Sequence, residues 1–236
     1  MKTLGLLGGM SWQSTVPYYQ LINRRVAERL GGFHSARLLL FSVDFADVEA
    51  LMRSGRWDEA GELLAGAAGR LEAGGAELVV LCTNTLHRVA PRIERAIGVP
   101  FLHIVDVTAA AISRAGVRQV GLLATRFTME DGFYVDRLAA RGVETLVPGP
   151  AERELLHRII FDELVHGTVT EASRRAVREM ALKLVDRGVG GVILGCTELP
   201  MALSGPDVPV PLFDTTTLHA LAAADRALED RCSGVR

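Results

Sequence analysis

Leu78-Val79-Val80-Leu81-Cys82-Thr83-Asn84-Thr85-Leu86-His87 is the stretch whose reading decides the fold. Four consecutive apolar residues after Gly74-Gly75, followed by Val89, Ile93 and Ile97 at helical spacing, predict a buried strand running into a helix. That junction sets Cys82 at the strand's carboxyl end. The free backbone N–H groups of a following helix carry partial positive charge, so a thiol there is expected to favour thiolate and to sit where anions bind. Cys82 is thus a candidate nucleophile or base.

Working outward, Thr3-Leu4-Gly5-Leu6-Leu7 reads as a strand that turns through Gly8-Gly9-Met10-Ser11 into a helix carrying Tyr18, Leu21, Ile22 and Val26. The glycines let the backbone approach a ligand closely, but the spacing is neither the dinucleotide fingerprint nor the P-loop. Residues 36–43 predict a second strand, and Asp44 to Gly55 a polar connection. A helix from about Asp58 to Ala73 precedes the Cys82 strand, and a strand at 99–104 enters a helix at Asp106. Strands alternating with helices predict an α/β protein with parallel sheets covered on both faces.

The second half repeats this plan. Gln119-Val120-Gly121-Leu122-Leu123 matches Thr3 to Leu7, and Gly191-Val192-Ile193-Leu194-Gly195-Cys196-Thr197 matches Leu78 to Thr83 with one added glycine. Val208-Pro209 through Asp214-Thr215 matches Val99-Pro100 through Asp106-Val107-Thr108. The offsets are 116 residues for Thr3 and Gln119, 114 for Cys82 and Cys196, and 108 for Asp106 and Asp214. We read this as an internal duplication giving two pseudo-symmetric α/β domains, with the active site expected in a cleft between them, where open parallel sheets bind ligands at their strand ends.

A lone cysteine at a buried strand end usually packs as a small hydrophobe. Two at equivalent points of a repeat point instead to paired chemistry, and the reaction that needs identical groups on opposite sides of a substrate is inversion at a carbon acid. One sulfur, as thiolate, takes a proton from one face while the other, as thiol, delivers one to the opposite face. The resting pair is expected to hold one negative charge, because a thiolate raises the pKa of a thiol beside it. Thr83, Asn84, Thr85 and Thr197 offer donors for the charge developing on a substrate carboxylate, or else act as ordinary helix caps. Glu198 is expected to meet a substrate ammonium, to orient a neighbour, or to favour a helix N-terminus.

Composition narrows the partners. A net charge of −2 with 23% charged residues and no long run of either sign gives no sign of nucleic acid or an anionic membrane, leaving a small molecule. No apolar stretch is long enough to span a bilayer, and Met1-Lys2-Thr3 leads into a strand without a signal-peptide layout, so a cytoplasmic location is expected. Three widely spaced cysteines fit a reducing compartment, with neither a disulfide framework nor a zinc site. Cys232 reads as incidental. With Lys2 and Lys183 the sole lysines, neither placed for a Schiff base, pyridoxal phosphate is not expected.

The Gly8-Gly9-Met10 turn, the Cys82 to His87 segment and Gly195-Cys196-Thr197-Glu198 together resemble the aspartate/glutamate racemase family over essentially the whole chain. Ser11-Trp12, Ser42-Val43-Asp44-Phe45 and Leu102-His103-Ile104 further resemble its broad-specificity bacterial branch. The resemblance implies a two-thiol amino-acid racemase without cofactor or metal, commonly a homodimer, whose last helix returns to the first domain. The domains are then 1–106 with 212–236, and 107–211. By matching motifs Cys82 and Cys196 are the bases, and Met10, Asn84, Thr85, Thr125, Thr128 and Thr197 contact the substrate. Ser11 and Glu198 complete the expected set.

Aspartate-specific members are similar to one another in carrying an arginine after the second strand and a lysine before a glycine in a second-domain helix. Here Asp44 to Glu49 has no cation, and Phe161 to Gly167 offers only His166. A second substrate carboxylate lacks an obvious clamp, Arg53 and Arg126 being the substitutes to hand, so neutral or polar amino acids are expected to compete with acidic ones. Three rivals remain. Cys82 and Arg88 have the spacing of cysteine-dependent phosphatases but lack the glycines and leave Cys196 idle. A ligand-binding protein would need no matched thiols. Hydantoin racemases, maleate isomerases and arylmalonate decarboxylases resemble the family in using the same paired positions. His87 and His103 read as structural or tuning histidines, and Trp57 as core.

Overall fold

The structure, a computed structural model, describes residues 1–232 without the side chains of 230–232, so the reading of Cys232 falls outside the described residues. Its elements in chain order are β1 (Leu4–Gly8), α1 (Trp12–Leu30), β2 (Leu38–Ser42), α2 (Phe45–Arg53), α3 (Trp57–Ala73), β3 (Leu78–Leu81), α4 (Ala90–Ala96) and β4 (Phe101–Leu102). Then follow α5 (Ile104–Arg114), β5 (Gln119–Ala124), α6 (Arg126–Glu130), α7 (Phe133–Ala139), β6 (Glu144–Leu146), α8 (Pro150–Asp162), α9 (Glu171–Asp186), β7 (Val192–Gly195), β8 (Leu212–Asp214) and α10 (Thr215–Cys232).

Two four-stranded parallel sheets, ordered β2-β1-β3-β4 and β6-β5-β7-β8, carry the duplication into three dimensions. The central strands β1, β3 and β7 are buried along their whole length, as both-face coverage requires, while β2 at an edge is not. The chain divides into two compact units, Met1–His103 with the chain from His219 onward, and Ile104–Leu218. This corrects the expected boundaries. β8 pairs with β7 in the second sheet, so residues 212–218 lie in the second unit and the return to the first begins at His219. Residues 104–106 likewise open α5 of the second unit.

In the first unit, Leu4, Leu6 and Val80 of the sheet pack with Tyr18, Ile22 and Val26 of α1 and with Ala220, Ala223 and Ala224 of α10. The second unit sets Val120, Leu122 and Ile193 against Val177, Ala181 and Leu184 of α9 and against Leu156 and Ile160 of α8. Each branched side chain buried this way contributes roughly 1.5–3 kcal/mol. Gly5 and Gly121 hold equivalent positions where a covering element presses on the sheet. A Cβ on Gly5 would stand 2.7 Å from Ala76 Cβ, and one on Gly121 2.8 Å from Leu184 Cδ1. Close approach, not chain reversal, explains why both copies keep glycine there.

Two local readings change. Asp44 to Gly55 is not a plain connection: Asp44 caps α2 by accepting from Ala46 N at 3.0 Å, and Val48 and Met52, four apart, are buried. The segment after Cys82 is not one helix either. A 3-10 turn over Thr85–Val89 precedes the seven-residue α4, whose first turn holds Pro91. Among the described residues no helix is long and apolar enough to cross a membrane.

Candidate active site

The first unit builds its group of candidate residues from adjacent strands. Leu7 of β1 is in register with Leu81 of β3, and Cys82 N donates to Leu7 O at 2.9 Å, so the Gly8-to-Ser11 turn and the Cys82-to-Thr85 segment leave the sheet side by side. The turn is pinned. Gly9 has φ of 92°, and a Cβ there would lie 2.3 Å from Val43 O, so no other residue fits without moving β2's exit. Gly9 N donates to Thr15 Oγ1 at 2.9 Å, Thr15 Oγ1 donates to Ser11 O at 3.0 Å, and Ser11 caps α1 by accepting from Ser14 N at 3.4 Å. Met10, Ser11, Cys82, Asn84 and Thr85 are all buried. Asn84 precedes the 3-10 turn without a side-chain cap bond, so ordinary capping does not account for it.

The second unit repeats the arrangement. Ala124 of β5 is in register with Gly195 of β7, placing Thr125 beside Cys196 one residue on. Thr125 caps α6 by accepting from Thr128 N at 3.4 Å, and the two hydroxyls lie 3.2 Å apart. Cys196 Sγ donates to Glu198 Oε2 at 3.0 Å, and Thr197 Oγ1 donates to the same oxygen at 2.5 Å. Thr125, Thr128, Cys196 and Glu198 are buried and Thr197 half-buried. Glu198 thus contacts both of its neighbours, and it also stands at the N-terminus of the 3-10 turn Leu199–Met201. The expected residues therefore form two groups, Met10, Ser11, Cys82, Asn84 and Thr85 in one unit and Thr125, Thr128, Cys196, Thr197 and Glu198 in the other.

The electrostatics reverse one expectation. Cys82 is wholly buried in the cluster of Leu4, Leu6 and Val80, and this desolvation pushes its thiol well above the ordinary range instead of favouring thiolate. A single 3-10 turn behind it offers no helix dipole to offset that. Cys196 is pushed up as well, first by desolvation and then by the Glu198 carboxylate. Burial thus opposes ionisation of both sulfurs.

Sequence reading missed His219 altogether. On α10, its Nε2–H donates to Leu102 O at 2.9 Å and its Nδ1 accepts from Tyr18 OH at 2.9 Å, which fixes the neutral tautomer. Desolvation pushes its pKa down to about 4. His87 Nδ1–H donates to Thr83 O at 2.7 Å, bracing the residue after Cys82, and its ring lies 4.5 Å from that of His103 and 5.8 Å from that of His219. No local signal could have joined residues 18, 87, 103 and 219, which only the fold assembles. Among the described residues no group of three His, Cys, Asp or Glu side chains is placed to hold a metal ion.

The substitute clamps are engaged within their own units, Arg53 with Glu49 at 2.5 Å and Arg126 with Glu154 at 2.9 Å. Arg88, which a phosphatase would turn toward Cys82, lies over the Trp57 ring at 4.2 Å, so Trp57 is a half-buried platform and not core. Trp12 is 64% exposed.

Known proteins extend this picture. The solved structure of a Yersinia pestis protein described as a candidate Asp/Glu racemase is 51% identical, superposes with a TM-score of 0.91 and covers 97% of this chain and 100% of its own. An aspartate racemase homologue from Pyrococcus horikoshii is 35% identical, with a TM-score of 0.84 and coverage of 96% and 99%. The broad specificity amino-acid racemase RacX of Bacillus subtilis is 22% identical over 92% of this chain and 94% of its own length. A family profile described as Asp/Glu/Hydantoin racemase matches residues 7–223. Fold, duplicated strand ends and sequence match converge, and the chain belongs to the Asp/Glu/hydantoin racemase family.

Proposed function

We propose that the chain is an amino-acid racemase that inverts Cα with two thiols and no cofactor. The observation that carries this is the placement of Cys82 and Cys196 at the same step beyond equivalent strands of two copies of one fold. One sulfur, as thiolate, takes the Cα proton; the electron pair spreads into the substrate carboxylate; the opposite thiol delivers its own proton to the other face, leaving one thiol and one thiolate with roles exchanged. Asn84, Thr85, Thr125 and Thr128 supply hydrogen-bond donors for the carboxylate oxygens, and Met10 and Ser11 the wall beside Cys82. Glu198, within 3.0 Å of Cys196 Sγ, receives the thiol proton that must leave before Cys196 acts as base. A substrate ammonium offsets the thiolate charge that burial otherwise disfavours.

The substrate is neutral or polar as readily as acidic, a reading supported by the pairing of Arg53 and Arg126 with acids of their own units. The protein is expected to act in the cytoplasm as a homodimer. Trp12, Val16 and Tyr19, at i, i+4 and i+7 on α1 and 64%, 43% and 52% exposed, form the apolar stripe that supports the dimer. The test is incubation of the reduced protein with L- and D-amino acids in heavy water, following the Cα proton by NMR. Loss of that signal with appearance of the other enantiomer is expected for several neutral amino acids. Turnover of aspartate and glutamate alone would overturn the specificity, and exchange confined to hydantoins or maleate would replace the substrate class. Ligand binding without any exchange would replace the enzyme with a binding protein.

A further inference from the structure

The first unit carries a second concave site that the racemase reading does not use. A cavity of about 430 Å³ opens between the start of α3 and the turn leading into α4, lined by Trp57, Asp58, Arg88, Arg92 and Arg95 among others. All three arginines face this one cavity, Arg88 from the 3-10 turn and Arg92 and Arg95 from α4. Burial lowers the Arg88 pKa, marking a partly dehydrated guanidinium, and its Cζ lies over the Trp57 ring at 4.2 Å. Arg92 is held from both sides, by Asp58 at 3.2 Å and by Glu62. The flanking Arg56 pairs with Glu59, and Arg95 has no ion pair among the described residues.

The helix opposite makes room for this arrangement. A Cβ on Gly61 of α3 would stand 2.8 Å from Arg92 Cδ, whereas Cβ atoms on Gly66 and Gly69 of the same helix would meet nothing within 4 Å. Mid-helix glycine is unfavourable relative to alanine, and at position 61 it lets the Arg92 stem cross α3 toward the cavity. A solvated charged face would need no such accommodation.

We propose that this cavity binds a small phosphomonoester bearing a planar ring, the phosphate on Arg92 and Arg95 and the ring on the Arg88–Trp57 stack. Guanidinium forks match phosphate oxygens bidentately, and the volume lies within the usual range of small-ligand sites, roughly 300–1,000 Å³. The acids beside Arg92 tune the site: they orient its fork and weaken its net field.

Binding is measured directly, so the outcome is independent of whether the chain racemises amino acids. In the full-length protein carrying Trp12→Phe, Trp57 is the remaining tryptophan, and AMP is titrated against its emission at low salt. Saturable quenching is expected, with inorganic phosphate competing more weakly and adenosine failing to compete. Arg95→Ala and Gly61→Ala should each weaken AMP binding about tenfold, Gly66→Ala should leave it unchanged, and Asp58→Asn should strengthen it roughly threefold. Absence of saturable quenching by AMP, adenosine competing as well as AMP, or Gly61→Ala behaving like Gly66→Ala would each overturn the proposal.

Discussion

Behind Cys82 the first unit gathers three buried histidines, His87, His103 and His219, whereas beside Cys196 the second unit places a buried carboxylate, Glu198. The offset of 114 residues that relates the cysteines also relates Asn84 to Glu198 and His87 to Met201. Backbone register fixes where each sulfur lies, because each cysteine follows the same strand of the same sheet order. Burial alone raises the Cys82 pKa, whereas Cys196 also feels Glu198, a side chain free to diverge. Duplication has thus kept the positions of two cysteines while making their surroundings chemically unequal, so under the proposed mechanism the two directions of inversion need not share rate constants.

Replacing the sulfurs breaks the comparison most severely. Cys82→Ser and Cys196→Ser should each lower racemisation at least about 10³-fold, since a hydroxyl is a far weaker base than a thiolate and inversion needs both groups. The remaining thiol can still take and return a proton on its own face. In heavy water each variant should therefore exchange the Cα proton of one enantiomer without inverting it, and the two variants should choose opposite enantiomers. Chiral chromatography with mass detection reads this. The same enantiomer exchanging in both variants would end the two-face reading.

The histidine side of the comparison is tested by acid. His219 has its pKa pushed down to about 4 from 6.5 by burial, so the unfolded chain binds the proton more readily than the folded one. The stability this holds is full above about pH 6.5 and is lost as pH falls toward 4, about 3 kcal/mol in all. Urea unfolding between pH 7 and 4 should show that loss, and His219→Gln should flatten the part of the slope that His219 supplies. An unchanged slope in the variant would mean that other groups carry the acid dependence.

Glu198→Asn converts the second unit's neighbour to the residue type the first unit has. The carboxylate raises the Cys196 pKa after desolvation does, so its removal should lower that pKa and speed alkylation of Cys196 by iodoacetamide at pH 8 about tenfold. Alkylation of Cys82 should be unchanged. Racemisation should nonetheless fall, about tenfold, because the proposed proton acceptor is gone. Peptide mapping of the alkylated sites and initial rates in both directions separate these effects. Slower alkylation of Cys196 in the variant would show that the carboxylate assists ionisation more than its charge opposes it.

The strand-and-helix alternation, the duplication and both cysteines were legible in sequence because they are local patterns repeated at one offset. What escaped has a physical cause in each case. α2 was hidden because the polar face of Asp44 to Arg53 outweighs its two buried residues, Val48 and Met52. The placing of 212–218 follows from β8 pairing with β7, a contact that no run of residues announces. The Cys82 pKa went the other way because motif reading weighs the next helix's N–H groups, while the structure buries this sulfur among apolar side chains and shortens the helix to a 3-10 turn. Tyr18 and His219 are 201 residues apart and meet only through the fold.

The smallest expected difference between the units lies under their sheets. Gly5→Ala and Gly121→Ala insert the same methyl at equivalent points, but into different surroundings. At Gly5 it would meet Ala76 Cβ at 2.7 Å and Leu71 Cβ at 3.2 Å, atoms fixed to the backbone. At Gly121 the nearest atom is Leu184 Cδ1 at 2.8 Å, the far end of a side chain that can change rotamer, although Leu184 Cβ follows at 3.1 Å. Overpacking that forces backbone to shift costs more than overpacking relieved by a rotamer, within a span of roughly 1–3 kcal/mol. Gly5→Ala should thus lower the urea midpoint by about twice as much as Gly121→Ala, with racemisation rates at 25 °C preserved in whatever fraction stays folded. Equal losses would mean that Leu184 is held as rigidly as the backbone beside Gly5, and that the two covering layers are mechanically alike where the two sulfur environments are not.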